Sequence, residues 1–285
     1  MKKTIALLLC LLALTSIAQG SLAESPAVAD ASQMTAVEEV VEPGMRPVYA
    51  EDLVDGEYDI AFKCSSSMFR IDSALLKVHD GQMEAVLTMG SKSFLYVWPG
   101  SAEEAAAAPA SDRIAPAEAE DGRQTYTIPV EALDAPIPCA AYSKNKELWY
   151  DRTVLFRADS LPTEAFREGF FTTAGSLGLK DGNYTAAVTL GGGSGRAKVE
   201  SPAALTVEDG LCTARIVWGS KNYDYMKVGE TQYFPVNTEG NAAFEIPVLW
   251  FDRPMPVIAD TVAMSEPHEI AYTLLFDAKS LEAVS

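Results

Sequence analysis

The chain repeats itself once at the length of a domain, and no other feature constrains its fold as much. Asp55-Gly56-Glu57-Tyr58 returns as Asp181-Gly182-Asn183-Tyr184, Asp80-Gly81 as Asp209-Gly210, and Gly90-Ser91-Lys92 as Gly219-Ser220-Lys221. Ile128-Pro129-Val130 returns as Ile246-Pro247-Val248, Pro136-Ile137-Pro138 as Pro254-Met255-Pro256, and Thr153-Val154-Leu155-Phe156 as Thr273-Leu274-Leu275-Phe276. The order is kept and the offset stays at roughly 120–130 residues, which is one ordinary domain and not a short solenoid unit.

Within each copy, short β-rich runs are separated by turn signals. In the first copy these runs are 58–62, 74–78, 83–89, 93–97, 125–130, 139–143 and 149–156. In the second they are 184–188, 204–207, 212–218, 223–227, 243–248, 256–259 and 270–276. Seven strands in about 110 residues predict an all-β fold of two tandem immunoglobulin-like β-sandwich domains. We place the first at residues 52–161 and the second at 179–285, joined by a linker, 162–178, with a short helix begun at Pro162. Residues 102–119, Ala-rich and acidic, are expected to be a mobile insertion with a short helix.

Lys2 and Lys3, an apolar run over 5–18 and the small-x-small site Ser21-Leu22-Ala23 predict a signal peptide over 1–23. Residues 24–51, rich in Ala, Val, Glu and Pro, are expected to be an acidic, flexible leader. No later segment is long and apolar enough to span a membrane. The chain is therefore expected to be secreted or cell-surface associated. Its 22 Lys and Arg against 40 Asp and Glu give a charge of −18, or −20 once Lys2 and Lys3 are removed. Such a balance argues against nucleic acid, whose phosphates need cations to neutralise them.

The chemistry of common enzymes is missing. There are two histidines, His79 and His268, with no Cys-x-x-Cys pair, no Gly-x-Ser-x-Gly elbow and no phosphate-binding loop. His79 precedes the Asp80-Gly81 turn and reads as a surface turn residue. The chain is expected not to be an enzyme. Beyond the signal, Cys64 and Cys139 fall in the first copy and both are replaced in the second, as a bridge specific to one copy would be; two buried thiols are the other reading.

Two places in each copy carry usable chemistry. The loop Ser65-Ser66-Ser67-Met68-Phe69-Arg70 sets hydroxyls beside a thioether and an aromatic ring. At the other end, the closing run of the second copy holds His268 and Tyr272 four apart, on one face of a strand. Met264 precedes it, and Trp149, Tyr150 and Arg152 stand in the same region of the first copy, where Trp149 and Arg152 are expected to form a stacked edge and Tyr150 to face a pocket.

Taken together, the Asp-Gly-x-Tyr openings, Ser66-Ser67-Met68, the run Ser201 to Gly210 and the closing aromatic strands make the chain resemble the NEAT (near-iron transporter) haem-binding domains of Gram-positive cell surfaces. The resemblance implies haem held between the first loop and the closing hairpin. That family's Tyr-x-x-x-Tyr falls on His268 and Tyr272, with His268 in the place of the iron-ligating Tyr. The haem-covering loop falls on Ser66, Ser67 and Met68, and in the second copy on Gly193 to Arg196, where Arg196 offers a cation to a propionate. Implied site residues are thus Ser66, Ser67, Met68, Tyr150, Arg196, Met264, His268 and Tyr272, with His268 as the metal ligand. The implied function is capture or relay of haem, or a related tetrapyrrole or iron complex, at the cell envelope, with haem-carrying proteins or an envelope transporter component as partners. The alternative is a surface module without cofactor that binds protein or glycan through aromatic loops and strand edges, using Tyr96, Trp98, Trp149, Tyr150 and Tyr225.

Overall fold

The computed structural model describes residues 27–30, 40–263 and 268–284. They are nearly all β. The first half holds β1 (Ala27–Val28), β2 (Gly56–Asp59), β3 (Phe62–Cys64), β4 (Ile71–His79), β5 (Gln82–Met89), β6 (Phe94–Trp98), β7 (Ala117–Glu118), β8 (Gln124–Pro129), β9 (Ile137–Ser143) and β10 (Leu148–Phe156), with one helix, α1 (Ala102–Ala107). The second half holds β11 (Gly182–Ala186), β12 (Val188–Gly192), β13 (Ala203–Glu208), β14 (Leu211–Val217), β15 (Tyr223–Val228), β16 (Thr231–Tyr233), β17 (Ala243–Pro247), β18 (Met255–Thr261), β19 (His268–Phe276) and β20 (Glu282–Val284).

Four sheets result. In the first half the orders are β2-β4-β5-β8-β7 and β1-β10-β9-β6, with β3 also paired to β10. In the second they are β17-β14-β13-β11-β20 and β12-β19-β18-β15-β16. Each half buries one cluster drawn from both of its sheets. Leu76, Leu87 and Tyr126 meet Val97, Cys139, Val154 and Phe156 in the first, and Leu205, Ile216 and Phe244 meet Met226, Val257, Leu274 and Phe276 in the second. The alternation that sends these residues inward also fixes register, because a one-residue slip would turn each of them to solvent. Two-residue turns pin the β4–β5 and β13–β14 hairpins. Asp80 and Gly81 have φ of 50° and 73°, Asp209 and Gly210 have 51° and 78°, and the Asp-Gly pair is suited to both left-handed positions.

Each half opens with a strand that the sequence reads as continuous but that changes sheets midway. Ile60 N–H still donates to Ala74 O at 3.1 Å in the first sheet, whereas Arg157 N–H donates to Ala61 O at 2.8 Å in the second. Ser160 Oγ accepts from Ala61 N–H at 2.9 Å and so holds the crossover. The second half uses the same contacts, with Ser280 Oγ accepting from Ala187 N–H at 2.7 Å. A second shared device is a left-handed aspartate. Asp134 Oδ1 accepts from Ala158 N–H and Asp252 Oδ1 from Ala278 N–H, both at 2.9 Å.

Two expectations are corrected. In its described residues, the stretch read as a flexible leader is docked. Strand β1 runs parallel to β10, Val40, Val48 and Ala50 are buried, and Glu42 pairs with both Lys63 and Arg157. Isolated valines fill single gaps there, and no periodic pattern announces them. The 102–119 insertion does hold its short helix, capped by Ser101, but the helix is packed: Ala102 and Ala105 lie on Ala140 and Trp149. The short helix expected in the linker is a 3-10 helix, Thr163–Ala165, that follows Pro162, and a chain of rings comes after it. Phe166 stacks on Phe170 at 4.6 Å, Phe171 stacks on Trp250 at 4.2 Å, and the Arg253 guanidinium sits 4.2 Å from the Phe170 centroid.

Candidate functional site

In the second half the expected ligand pair is not assembled. Strand alternation puts His268 and Tyr272 on one face, but His268 is exposed at the first position of β19, opposite Thr261. Tyr272 is only 5% exposed. Its ring meets Trp218 edge-on at 5.1 Å, Trp218 stacks on Tyr223 at 4.0 Å, and the two tyrosine hydroxyls lie 3.3 Å apart. Burial, then the bond to Tyr272, raises the Tyr223 hydroxyl well above the ordinary phenol range. Gly193 closes the remaining side: with φ of +57°, its backbone comes so near that a Cβ would stand 2.5 Å from Tyr272 Cε1. Arg196 points out from this loop and is exposed. Met264 lies outside the described residues. A cavity of about 430 Å³ borders Lys227, Pro256, Ile258 and Ala271 together with Glu42 and Arg157 of the first half. Its cations are already taken, Arg157 by Glu42 and Asp159 and Lys227 by Glu269.

The first half is arranged differently. Beyond β3, Ser65 stays on the edge of β10: its N–H donates to Thr153 O and its Oγ accepts from Thr153 N–H, both at 2.9 Å. That anchor sets Ser66 at the level of Arg152. The loop then turns back, Ser66 Oγ accepting from Met68 N–H at 3.3 Å and Ser66 O from Phe69 N–H at 3.2 Å. Ser66 is buried, Ser67 is exposed, and the Met68 side chain is 69% exposed at the loop tip. Phe69 anchors the loop from below, edge-on to Phe94 at 5.2 Å.

Facing this loop, Tyr150 and Arg152 share the inward side of β10 with Val154 and Phe156. Arg152 is 7% exposed and Tyr150 half-buried, with the guanidinium carbon 5.1 Å from the Tyr150 centroid. Across β9 the opposite residues are Cys139 and Ala141, both too small to fill the space beside them. Arg152 has five N–H donors. One, from Nη1, goes to the Asp151 carbonyl at 2.6 Å, and Nε is buried with no acceptor. Among the described residues no carboxylate forms an ion pair with it. Burial accordingly lowers its pKa from the ordinary guanidinium value, against the pull of nearby Cys64 and Tyr150. A buried cation without a counter-ion is costly. Among the described residues of this half, Arg113 Nε, Gln124 Oε1 and Trp149 Nε1 are also buried without a partner, but of the two guanidinium groups concerned Arg152 is the one whose residue is buried.

One further expectation is corrected here. Trp149 does not stack with Arg152: the two alternate across β10, and Trp149 lies under α1 with Arg113 5.7 Å from its ring. Of the two readings open for Cys64 and Cys139, the bridge is not formed. They sit on β3 and β9, to either side of β10, and two strand spacings of about 4.8 Å exceed the roughly 7 Å limit for a bridge. Burial, then the nearby Cys64, pushes the Cys139 thiol up to about 12. Arg152 was not among the residues implied as binding, although a signal for it was present in the sequence. Counting back by twos from Phe156 and Val154 lands on it, a charge at a core-facing position. Comparison of the sequence with protein-family models and with curated protein sequences finds no match to either.

Proposed function

We propose that this is an exported, non-enzymatic binding protein that captures or relays haem, or a related tetrapyrrole or iron complex, at the cell envelope, and that its first half does the binding. The wider frame is two copies of one immunoglobulin-like sandwich, of which the second serves as a scaffold with its slot filled from within. One observation carries the reading: Arg152 is buried without an ion pair among the described residues, next to Thr153, to which the loop that holds Ser66–Met68 is anchored through Ser65. Such a group calls for an anion, and the ring of Tyr150 beside it, with the exposed Met68 thioether on the neighbouring loop, calls for a flat, apolar body attached to that anion. Haem combines both in its propionates and macrocycle. Arg152 and Ser67 would hold a propionate, and Tyr150 or Met68 would offer the iron a phenolate oxygen or a thioether sulfur. Export rests on residues 1–23, which lie outside the described residues. Among the described residues no helix is long and apolar enough to cross a membrane.

Hemin titration of the full mature chain tests this. A Soret shift saturating at one equivalent is expected. It should weaken at least tenfold in Arg152→Met and change band position in Tyr150→Phe, while His268→Ala leaves it unaltered. Absence of a Soret shift at stoichiometric hemin would sink the proposal and favour the cofactor-free surface module.

A further inference from the structure

Cys64 stands beside Arg152 in the surroundings of a nucleophile. On the edge of β10 it pairs with Val154, which faces the core, so Cys64 points to that side as well and packs against the core of the first half. Arg152 is two residues along β10 on the same face, a diagonal neighbour within reach of a long side chain. Burial lowers the Arg152 pKa, and Cys64 leads the neighbours that oppose the fall. From the other side of β10, Cys139 on β9 is paired with Arg152. The two thiols differ in access. Cys139 is fully buried, whereas Cys64 is half-buried at the end of β3, where the chain leaves the sheet for the Ser65–Met68 loop.

A guanidinium beside a thiol favours the thiolate, and the thiolate is the nucleophile. Arg152 also has donors to offer, because its Nε is buried without an acceptor. A buried cation next to a reachable thiol fits a ligand that brings both an electrophilic sulfur and an anion. A small disulfide bearing a carboxylate is such a ligand. Cys64 gives its proton to solvent and its thiolate attacks one sulfur of the disulfide. The S–S bond of the ligand breaks, a new one forms to Cys64 Sγ, and the other half leaves as a thiolate that takes up a proton from water. The carboxylate of the retained half then serves as a counter-ion for Arg152. An internal bridge does not compete, since Cys139 lies two strand spacings away.

We propose that Cys64 is a site of covalent modification by carboxylate-bearing, low-molecular-weight disulfides, with Arg152 activating the thiol and holding the carboxylate. The source of the disulfide, an oxidising compartment, rests on the proposed export; the reactivity of Cys64 rests neither on that nor on a tetrapyrrole. Cystine is the probe, added to the full mature chain after reduction and removal of the reductant. At pH 7.5, intact-mass spectrometry should find one half-cystine adduct, mapped to Cys64 and reversed by dithiothreitol, with Cys139 and Cys212 left as thiols. Cys64→Ser should give no adduct, and Arg152→Met should slow its formation at least tenfold. Cystamine, which lacks the carboxylates, should react at least tenfold more slowly than cystine with the parent chain and lose that handicap in Arg152→Met. A thiol that is merely exposed would show neither difference. No adduct on the native parent, an adduct on another cysteine, or equal rates for cystine and cystamine overturns the proposal. An adduct without a Soret shift sinks the haem reading and leaves this one standing, and a Soret shift without an adduct does the reverse.

Discussion

Replacing Asp134 with Asn should stabilise the protein at neutral pH. Asp134 is 6% exposed at the junction of the two halves, with a left-handed φ of 54°. Burial pushes its pKa from 3.8 to about 6; Asp159 adds to the rise, and the Ala158 N–H, Arg157 and Arg253 oppose it. The sign follows from linkage. Between about pH 4 and pH 6 the folded chain binds a proton that the unfolded chain has released, so stability falls as pH rises through that window and stays low above it. A rise of roughly 2 units corresponds to about 3 kcal/mol at most. Asn keeps the acceptor that Ala158 N–H needs and tolerates a left-handed backbone. It removes only the charge, and with it some attraction to Arg157 and Arg253, so a gain of about 1–3 kcal/mol at pH 7.5 is expected. Urea unfolding at pH 4, 6 and 7.5 measures it, and the advantage of Asp134→Asn should shrink towards zero at pH 4. Asp134→Ala, which loses the acceptor as well, should fall below the parent by roughly 1 kcal/mol or more at pH 4. The reasoning fails if the Asn variant is the less stable at pH 7.5, or if its advantage is the same at every pH.

Three other outcomes can be read directly. Arg152→Met should raise the stability of the ligand-free chain by roughly 1–3 kcal/mol in denaturant melts, because it removes an unpaired buried charge while keeping volume. The same variant should lose hemin, so stability and binding move in opposite directions. Gly193→Ala should lower the melting temperature more than Gly195→Ala: both need a left-handed alanine, at about 1–2 kcal/mol, but only the first drives a Cβ into Tyr272. Cys139 and Cys212, whose thiols burial pushes up to about 12 and about 11, should resist a disulfide reagent at pH 8 until denaturant is added.

The strands were legible because alternation and the Asp-Gly turns are local signals. All fourteen β-rich runs fall on or across strands, and Asp80 and Asp209 take the left-handed conformation that their turns require. The sheet change after Ile60 was not legible. Alternation runs through it unbroken, and what bends the chain is a distant residue, Ser160. Val40 and Val48 were missed because a single apolar side chain filling a single gap has no period. At the sites the pattern was mixed. Parity would have singled out Arg152, which was not counted among the binding residues, whereas Asp260 has the parity of a surface residue and is buried only by a bulge that no propensity encodes. The Tyr272 hydroxyl was expected to face a ligand; its partner, Tyr223, is 49 residues away, beyond the reach of any spacing argument.

Under the two-copy reading, the copies themselves supply a control for Arg152. Alignment on the closing Phe156 and Phe276 sets Arg152 against Tyr272, and alignment of Gly90-Ser91-Lys92 with Gly219-Ser220-Lys221 sets Phe94 against Tyr223. In the second half the inward polar group at this position is satisfied from within, hydroxyl to hydroxyl, and Trp218 fills the space beside it. In the first half the residue that would supply an acceptor is a phenylalanine, and its ring is spent on Phe69. The scaffold can evidently close this end of the sandwich, since it does so in one copy with the same crossover serine and the same capping aspartate. Folding alone therefore gives no reason to keep a buried guanidinium with its Nε unpartnered in the other. Sites where local consistency is broken while the surrounding frame is kept are where function is to be sought. On that argument the loop at Ser66–Met68 and the strand at Tyr150–Arg152 are the open end of this protein, and His268 and Tyr272 mark its closed one.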